Sequence, residues 1–295
     1  MIAYIRFAQV LLLVFLAAFS LCARAELVDK IAVKVNDFNT ILAYKSSELT
    51  IWQDSGNPAI YIFDFPNLTQ QGLTFNRITQ LSEQYNAPYK RVYTSKEIDE
   101  YLVSIRRTRA NIAFGHDVLV SNLVLFLNLA LNDKVELNAE ELMLRDFAVS
   151  QGLIKIWRKF YQALQPNVLI LSIPQTQDKR DDEPRVSDLA RRTLFTHERS
   201  HGEFYTNVYY AKYCAQFWSS ELTEEQRNAF KKFLMKTNNS LSGDELLINE
   251  AQAYLMFTPD PSSFSAAKLG ISELELEGMR KAFRKGMPVT GLPVY

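Results

Sequence analysis

Two histidines four residues apart, with a glutamate directly after the first, lie in the stretch Thr196-His197-Glu198-Arg199-Ser200-His201-Gly202. Residues four apart share one face of a helix, so His197 and His201 present two imidazoles to one point. Zinc takes neutral nitrogen ligands at about 2.0–2.1 Å, and such a pair supplies two of them without bending the backbone. Glu198 is rotated by one residue from the first ligand. It therefore addresses a metal-bound water instead of the metal, which is the position of a general base. The chain has only three histidines, and two of them flanking a glutamate at this spacing is improbable by composition, roughly a few in a thousand. The plainer alternative is a polar helix with two surface histidines.

A catalytic zinc needs a third protein ligand and an open fourth position for water. No histidine follows His201. Downstream, Leu246-Leu247-Ile248-Asn249-Glu250-Ala251-Gln252-Ala253-Tyr254-Leu255 reads as a helix with one carboxylate embedded among apolar residues. An unpaired buried carboxylate is costly, so Glu250 requires a cation, and zinc would serve.

His197-Glu198-x-x-His201 followed on a second helix by Asn249-Glu250 resembles the gluzincin metallopeptidases, the thermolysin-like group. The resemblance rests on these two motifs. It implies a zincin-like fold, Zn2+ held by His197, His201 and Glu250, Glu198 as the base, and a peptide or protein substrate. Two features depart from the pattern. The gap from His201 to Glu250 is longer than in thermolysin-like enzymes, and Tyr254 stands where those enzymes place the aspartate that orients the first histidine.

Peptide hydrolysis also needs a donor for the developing oxyanion. Tyr254, one turn after Glu250, and Tyr205, one turn after His201, each offer a phenolic O–H. His116, in Gly115-His116-Asp117, reads as an exposed turn histidine held by Asp117, or as a stabiliser reaching the site from the other half of the chain. Two histidines and a carboxylate also describe a non-haem iron site, although iron oxygenases have no use for Glu198. A third reading is an exported, non-enzymatic binding protein whose metal site is structural or vestigial.

The elements that must position these groups begin after a leader. Met1–Arg6 carries a positive charge, Phe7–Cys22 is almost wholly apolar, and Ala23-Arg24-Ala25 ends it, the pattern of a secretory signal peptide cleaved after Ala25. The apolar run is shorter than the roughly 20 residues that span a bilayer, so the expectation is a periplasmic or secreted protein with no stable membrane span. The 33 basic and 33 acidic residues balance, leaving no electrostatic reason to hold nucleic acid. Of two cysteines, only Cys214 survives cleavage, so the mature chain has no internal disulfide and relies on its core. Cys214 itself reads as a small buried hydrophobe.

The fold class expected is α+β, with a mixed N-terminal region (26–165) and a helical C-terminal region (166–295) carrying the metal site. Ala59–Pro66 and Pro166–Pro174 read as strands, and Val92-Tyr93 as a short one. The gluzincin resemblance implies that Leu169–Ile173 is a sheet edge that binds peptide backbone; a buried core strand is the alternative. Helices are expected over 73–85, from Thr94 or Ser95, over 118–131, from Asn138 to about Tyr161, from Ser187 to about Ser220, over 223–236, over 244–257 and over 272–284. Gln175–Pro184 reads as an exposed polar loop with solvated charges.

Overall fold

The computed structural model describes residues 31–82, 90–237 and 243–293. The expected signal peptide, the helix end near Pro88 and the break at Asn238-Asn239-Ser240 lie outside them.

Side-chain alternation in two strands sets the layers. Ile60 and Ile62 of β3 (Ile60–Phe65) face the same side as Leu169, Leu171 and Ile173 of β7 (Leu169–Pro174), where they meet Phe195. Tyr61, Phe63, Phe65 and Ile170 face the other side. A period of two with apolar groups on both faces is why these strands read as continuous hydrophobic runs. The sheet runs β1-β2-β3-β7-β4, with β1 Lys34–Asn36, β2 Thr50–Asp54 and β4 His116–Leu119. The β1–β2 and β3–β7 pairs are parallel, and β2–β3 and β7–β4 are antiparallel.

On one face, helices Leu68–Ser82, Val120–Asp133 and Ala139–Ser150 close a core around Phe75, Phe126 and Phe147. On the other lie the short helix Phe38–Ala43 and the long helix Asp188–Thr206, with Phe195 stacked on Phe38 at 4.5 Å. Beyond the long helix, Val208–Gln216, Glu224–Thr237, Asp244–Phe257, Ala266–Leu269 and Glu273–Gly286 pack round a second core that includes Tyr210, Phe230, Phe257 and Phe283. The chain is thus α+β, with a mixed sheet in the N-terminal half and helices in the C-terminal half. The strand opening the 166–295 region is an interior strand of this sheet. No helix among the described residues is long and apolar enough to cross a membrane.

Several expectations are corrected. Leu169–Ile173 is not a sheet edge, because β7 is paired on both sides; the edge strand on this side is β4. The helix from Asn138 stops at Ser150, where Gly152 turns left-handed at φ 67°, and a hairpin follows, β5 (Ile154–Trp157) with β6 (Phe160–Ala163). Val92-Tyr93 forms no strand. The helix from Ser187 breaks at Asn207, whose side chain caps the next helix by accepting from the Tyr209 and Tyr210 amides. In the polar loop, Glu183 is tied down by the Thr69 amide at 3.2 Å and by Gln177 at 3.0 Å.

Candidate metal centre

The helix Asp188–Thr206 is fixed both before the motif and within it. The Ser187 side chain accepts from the Ala190 amide, and Asp188 in the first turn suits the positive end of the helix dipole. Arg191 then forks onto both oxygens of Asp64 on β3, at 2.7 and 2.9 Å, and Arg199 reaches Asp54 on β2 at 2.5 Å. All four groups are buried.

Consecutive motif residues point in different directions. His197 and His201 face the helix Asp244–Phe257, where Nε2 of each lies 3.8 and 3.9 Å from the Oε2 and Oε1 atoms of Glu250. The three ligand atoms fall within 4.8 Å of one another. These separations are too long for hydrogen bonds, and they are short enough for one ion to bridge. Glu198 turns instead to the sheet edge, against Gly115; a Cβ at residue 115 would stand 2.3 Å from its Oε1. Arg199 faces β2, and Ser200 accepts from Gln252 at 3.2 Å.

Hydrogen bonds settle which imidazole nitrogen faces the gap. The Thr258 hydroxyl donates to the Ala253 carbonyl at 2.9 Å and so accepts from Nδ1 of His197, also at 2.9 Å. Nδ1 of His201 donates to Oδ1 of Asn249 at 2.9 Å. That oxygen also accepts from Gln252 at 3.2 Å, and Gln252 is held in turn by the Tyr210 hydroxyl at 2.7 Å. With both Nδ1 atoms engaged as donors, both Nε2 atoms are left for a metal, the arrangement that orients metal-binding histidines.

The electrostatics ask for a cation. Burial raises the Glu198 carboxyl to about 8; the Asp117 and Glu250 charges add to the shift, while His201 opposes it. Burial opposes a charge on His201, but Glu250, Asp117 and Glu198 together outweigh it and lift the imidazole to about 9. Glu250 is raised as well, by burial and by Asp117. Burial and the neighbouring His201 charge push His197 well below the ordinary histidine range. By itself the pocket offsets its negative charge by holding protons, and a dication offsets it instead. Two neutral nitrogens and a carboxylate suit zinc.

His116 does not reach this pocket. It lies in β4 with its ring stacked on Phe75 at 5.4 Å, Nδ1 at 2.7 Å from the Ser172 hydroxyl and Nε2 at 3.0 Å from Oδ1 of Asn76. The Asn76 amide nitrogen donates to the Arg109 carbonyl at 2.9 Å, so Oδ1 accepts and the ring proton sits on Nε2. Burial lowers the imidazole to about 3. It is neither a turn histidine held by Asp117 nor a stabiliser of the metal site, because strand alternation sends Asp117 to the opposite face. Asp117 shares the side of Gly115 and acts on Glu198, His201 and Glu250 by its charge.

Both tyrosines are brought to the site. Tyr254 packs edge-on against His197 at 4.8 Å and against Phe233 at 4.9 Å. Burial together with the Asp117 charge raises the Tyr205 hydroxyl above the usual range, and the Asn249 side chain opposes the shift. Sequence reasoning missed Thr258, Gln252, Gly115 and Asp117. The alternation His116-in, Asp117-out becomes readable only once the segment is taken as a strand and not as a turn. Comparison with protein-family models, curated proteins and solved structures finds no match, so the site stands on its own geometry.

Proposed function

We propose that this chain is a zinc-dependent metallopeptidase, similar in its ligand set to the gluzincins, that hydrolyses a peptide bond with water activated by Glu198. One observation carries the reading: His197, His201 and Glu250 converge from two helices with both Nδ1 atoms already engaged, and a separate buried carboxylate, Glu198, stands beside them. A structural site has no use for that second carboxylate.

Zinc held by these three residues would supply Lewis acidity and lower the pKa of a bound water. Glu198 takes the proton of the attacking water and passes it to the leaving amine. Its raised pKa suits a group that must hold a proton at neutral pH, and a dication held beside it would lower that pKa towards the range of a base. Tyr205 and Tyr254 flank the ligands and are the candidate donors to the oxyanion. The edge strand β4 beside Glu198 offers an extended peptide a strand to pair with. The leader pattern in residues 1–25 supports export, with a mature chain beginning at Glu26.

Metal analysis of purified protein, followed by cleavage assays on an unfolded protein substrate, tests the reading. The expected outcome is about one zinc per chain and cleavage that Glu198→Gln lowers by about 10²–10⁴ while zinc remains bound. Iron in place of zinc, or near-full activity in Glu198→Gln, would overturn it.

A further inference from the structure

The β5–β6 hairpin belongs neither to the main sheet nor to the metal centre. Its base is fixed: Ile154 is buried in the N-terminal core, and the Asn128 amide pairs with both backbone groups of Tyr161, at 3.0 and 2.8 Å. Its tip is not covered. The register sets Trp157 directly opposite Phe160 across the two-residue turn Arg158-Lys159. Ile156, Trp157, Phe160 and Leu164 are 61, 55, 54 and 49% exposed. Scattered exposed hydrophobics are ordinary, but three within one short hairpin and a fourth directly after it are not. Leu131, on the helix beneath, lines one shallow hollow with Ile156 and Phe160 and extends the patch.

Three cations are interleaved with these side chains. Lys155, Arg158 and Lys159 form no ion pair among the described residues, and no acidic residue occurs in the sequence between Asp146 and Asp178. In a chain with a net charge of zero this is a local positive excess. The Lys155 ammonium lies 5.5 Å over the Trp157 ring. Arg158 holds a left-handed backbone at φ 58°, where glycine or asparagine would be less strained.

An exposed indole and phenyl ring facing each other across a hairpin turn, interleaved with cations that form no ion pair, match a bilayer interface. Tryptophan settles at headgroup depth, and lysine and arginine meet lipid phosphates. We propose that the β5–β6 hairpin docks this protein on anionic lipid bilayers, with Ile156, Trp157 and Phe160 entering the headgroup–acyl boundary and Lys155, Arg158 and Lys159 binding lipid phosphates. The proposal is independent of the metal-site reading. Each cation strengthens partition about fivefold and the three together by about two orders of magnitude.

Trp52 and Trp218 are buried, so Trp157 is the tryptophan that a quencher carried in the lipid can reach. The full chain is mixed with vesicles of phosphatidylcholine, alone or with phosphatidylglycerol, whose acyl chains are brominated. The expected result is quenched, blue-shifted emission on the anionic vesicles and little change on the neutral ones. W157F removes the quenching, and K155Q/R158Q/K159Q weakens partition about 100-fold with an unchanged circular dichroism spectrum. Unquenched Trp157 on anionic vesicles, even where another segment brings the chain down with them, overturns the proposal. So does equal quenching on neutral vesicles. A blue shift that grows with protein concentration in the absence of lipid would give the patch to a second copy of the chain and overturn it too.

Discussion

The hydroxyl of Thr258 stands 2.9 Å from Nδ1 of His197 and has already spent its proton on the Ala253 carbonyl. It fixes the tautomer of a proposed zinc ligand from beyond the C-terminal end of the helix that supplies Glu250. Thr258→Val keeps the shape and removes the acceptor. Zinc affinity, measured by competition with a chelator, is expected to fall about 10- to 100-fold. Unchanged affinity would remove Thr258 from the site.

Gly115 leaves room for the Glu198 carboxylate, and a methyl group there would come within 2.3 Å of Oε1. Because the three heavy atoms nearest such a methyl group all belong to Glu198 and none to His197, His201 or Glu250, Gly115→Ala should displace the proposed base and spare the metal. Peptide hydrolysis is expected to fall by about 10²-fold or more at unchanged zinc content. Loss of zinc together with activity would show that the helix itself had moved.

The grouping of His197, His201 and Glu250 was legible because much of it rests on local spacing. His197 and His201 share a helix face whatever the fold, and Glu250 stood out as a carboxylate in an apolar run. What surrounds them was not, because it depends on tertiary contacts. Asp64 and Arg191, or Asp54 and Arg199, are far apart in the chain and look like ordinary surface charges until β2, β3 and the long helix are packed. The strands β3 and β7 announced themselves by their aromatic and β-branched content, but their order in the sheet did not, so β4 went unnoticed as the edge. Asn207 and Gly152 ended helices whose apolar periodicity ran on past them. At the hairpin, Ile154-Lys155-Ile156-Trp157 fits either period over so short a run.

His116 is buried as a neutral ring, with its imidazole lowered to about 3 against an ordinary 6.5. Above pH about 6.5 the ring is neutral in the folded and unfolded chains alike, and its contribution is complete. As the pH falls below that value the unfolded chain takes up a proton that the folded chain refuses, so stability declines until the folded ring titrates near 3. The slope expected from this group is about 1.4 kcal/mol per pH unit. Urea unfolding between pH 7 and 4 should show it, and His116→Gln should flatten that acid limb. An identical acid limb in the variant would assign the effect to other groups.

Arg199 is the last relationship to test, since it sits between Glu198 and His201 on the helix and is held to β2 by Asp54 at 2.5 Å. Both side chains are almost fully buried, and the other carboxylate near the guanidinium, Glu203, is 4.0 Å away. Asp54→Ala leaves a buried cation with too little compensation, a loss of about 3–5 kcal/mol. Removing both charges by Asp54→Ala with Arg199→Met leaves no stranded ion, so much of that stability should return. Because the motif shares the helix with Arg199, the single variant should weaken zinc binding along with the proposed activity, unlike Glu198→Gln, which is expected to lose activity alone. Urea midpoints and zinc titration of the three variants separate these outcomes. If Asp54→Ala proved as stable as the wild type, Arg199 would not be what holds the motif to the sheet.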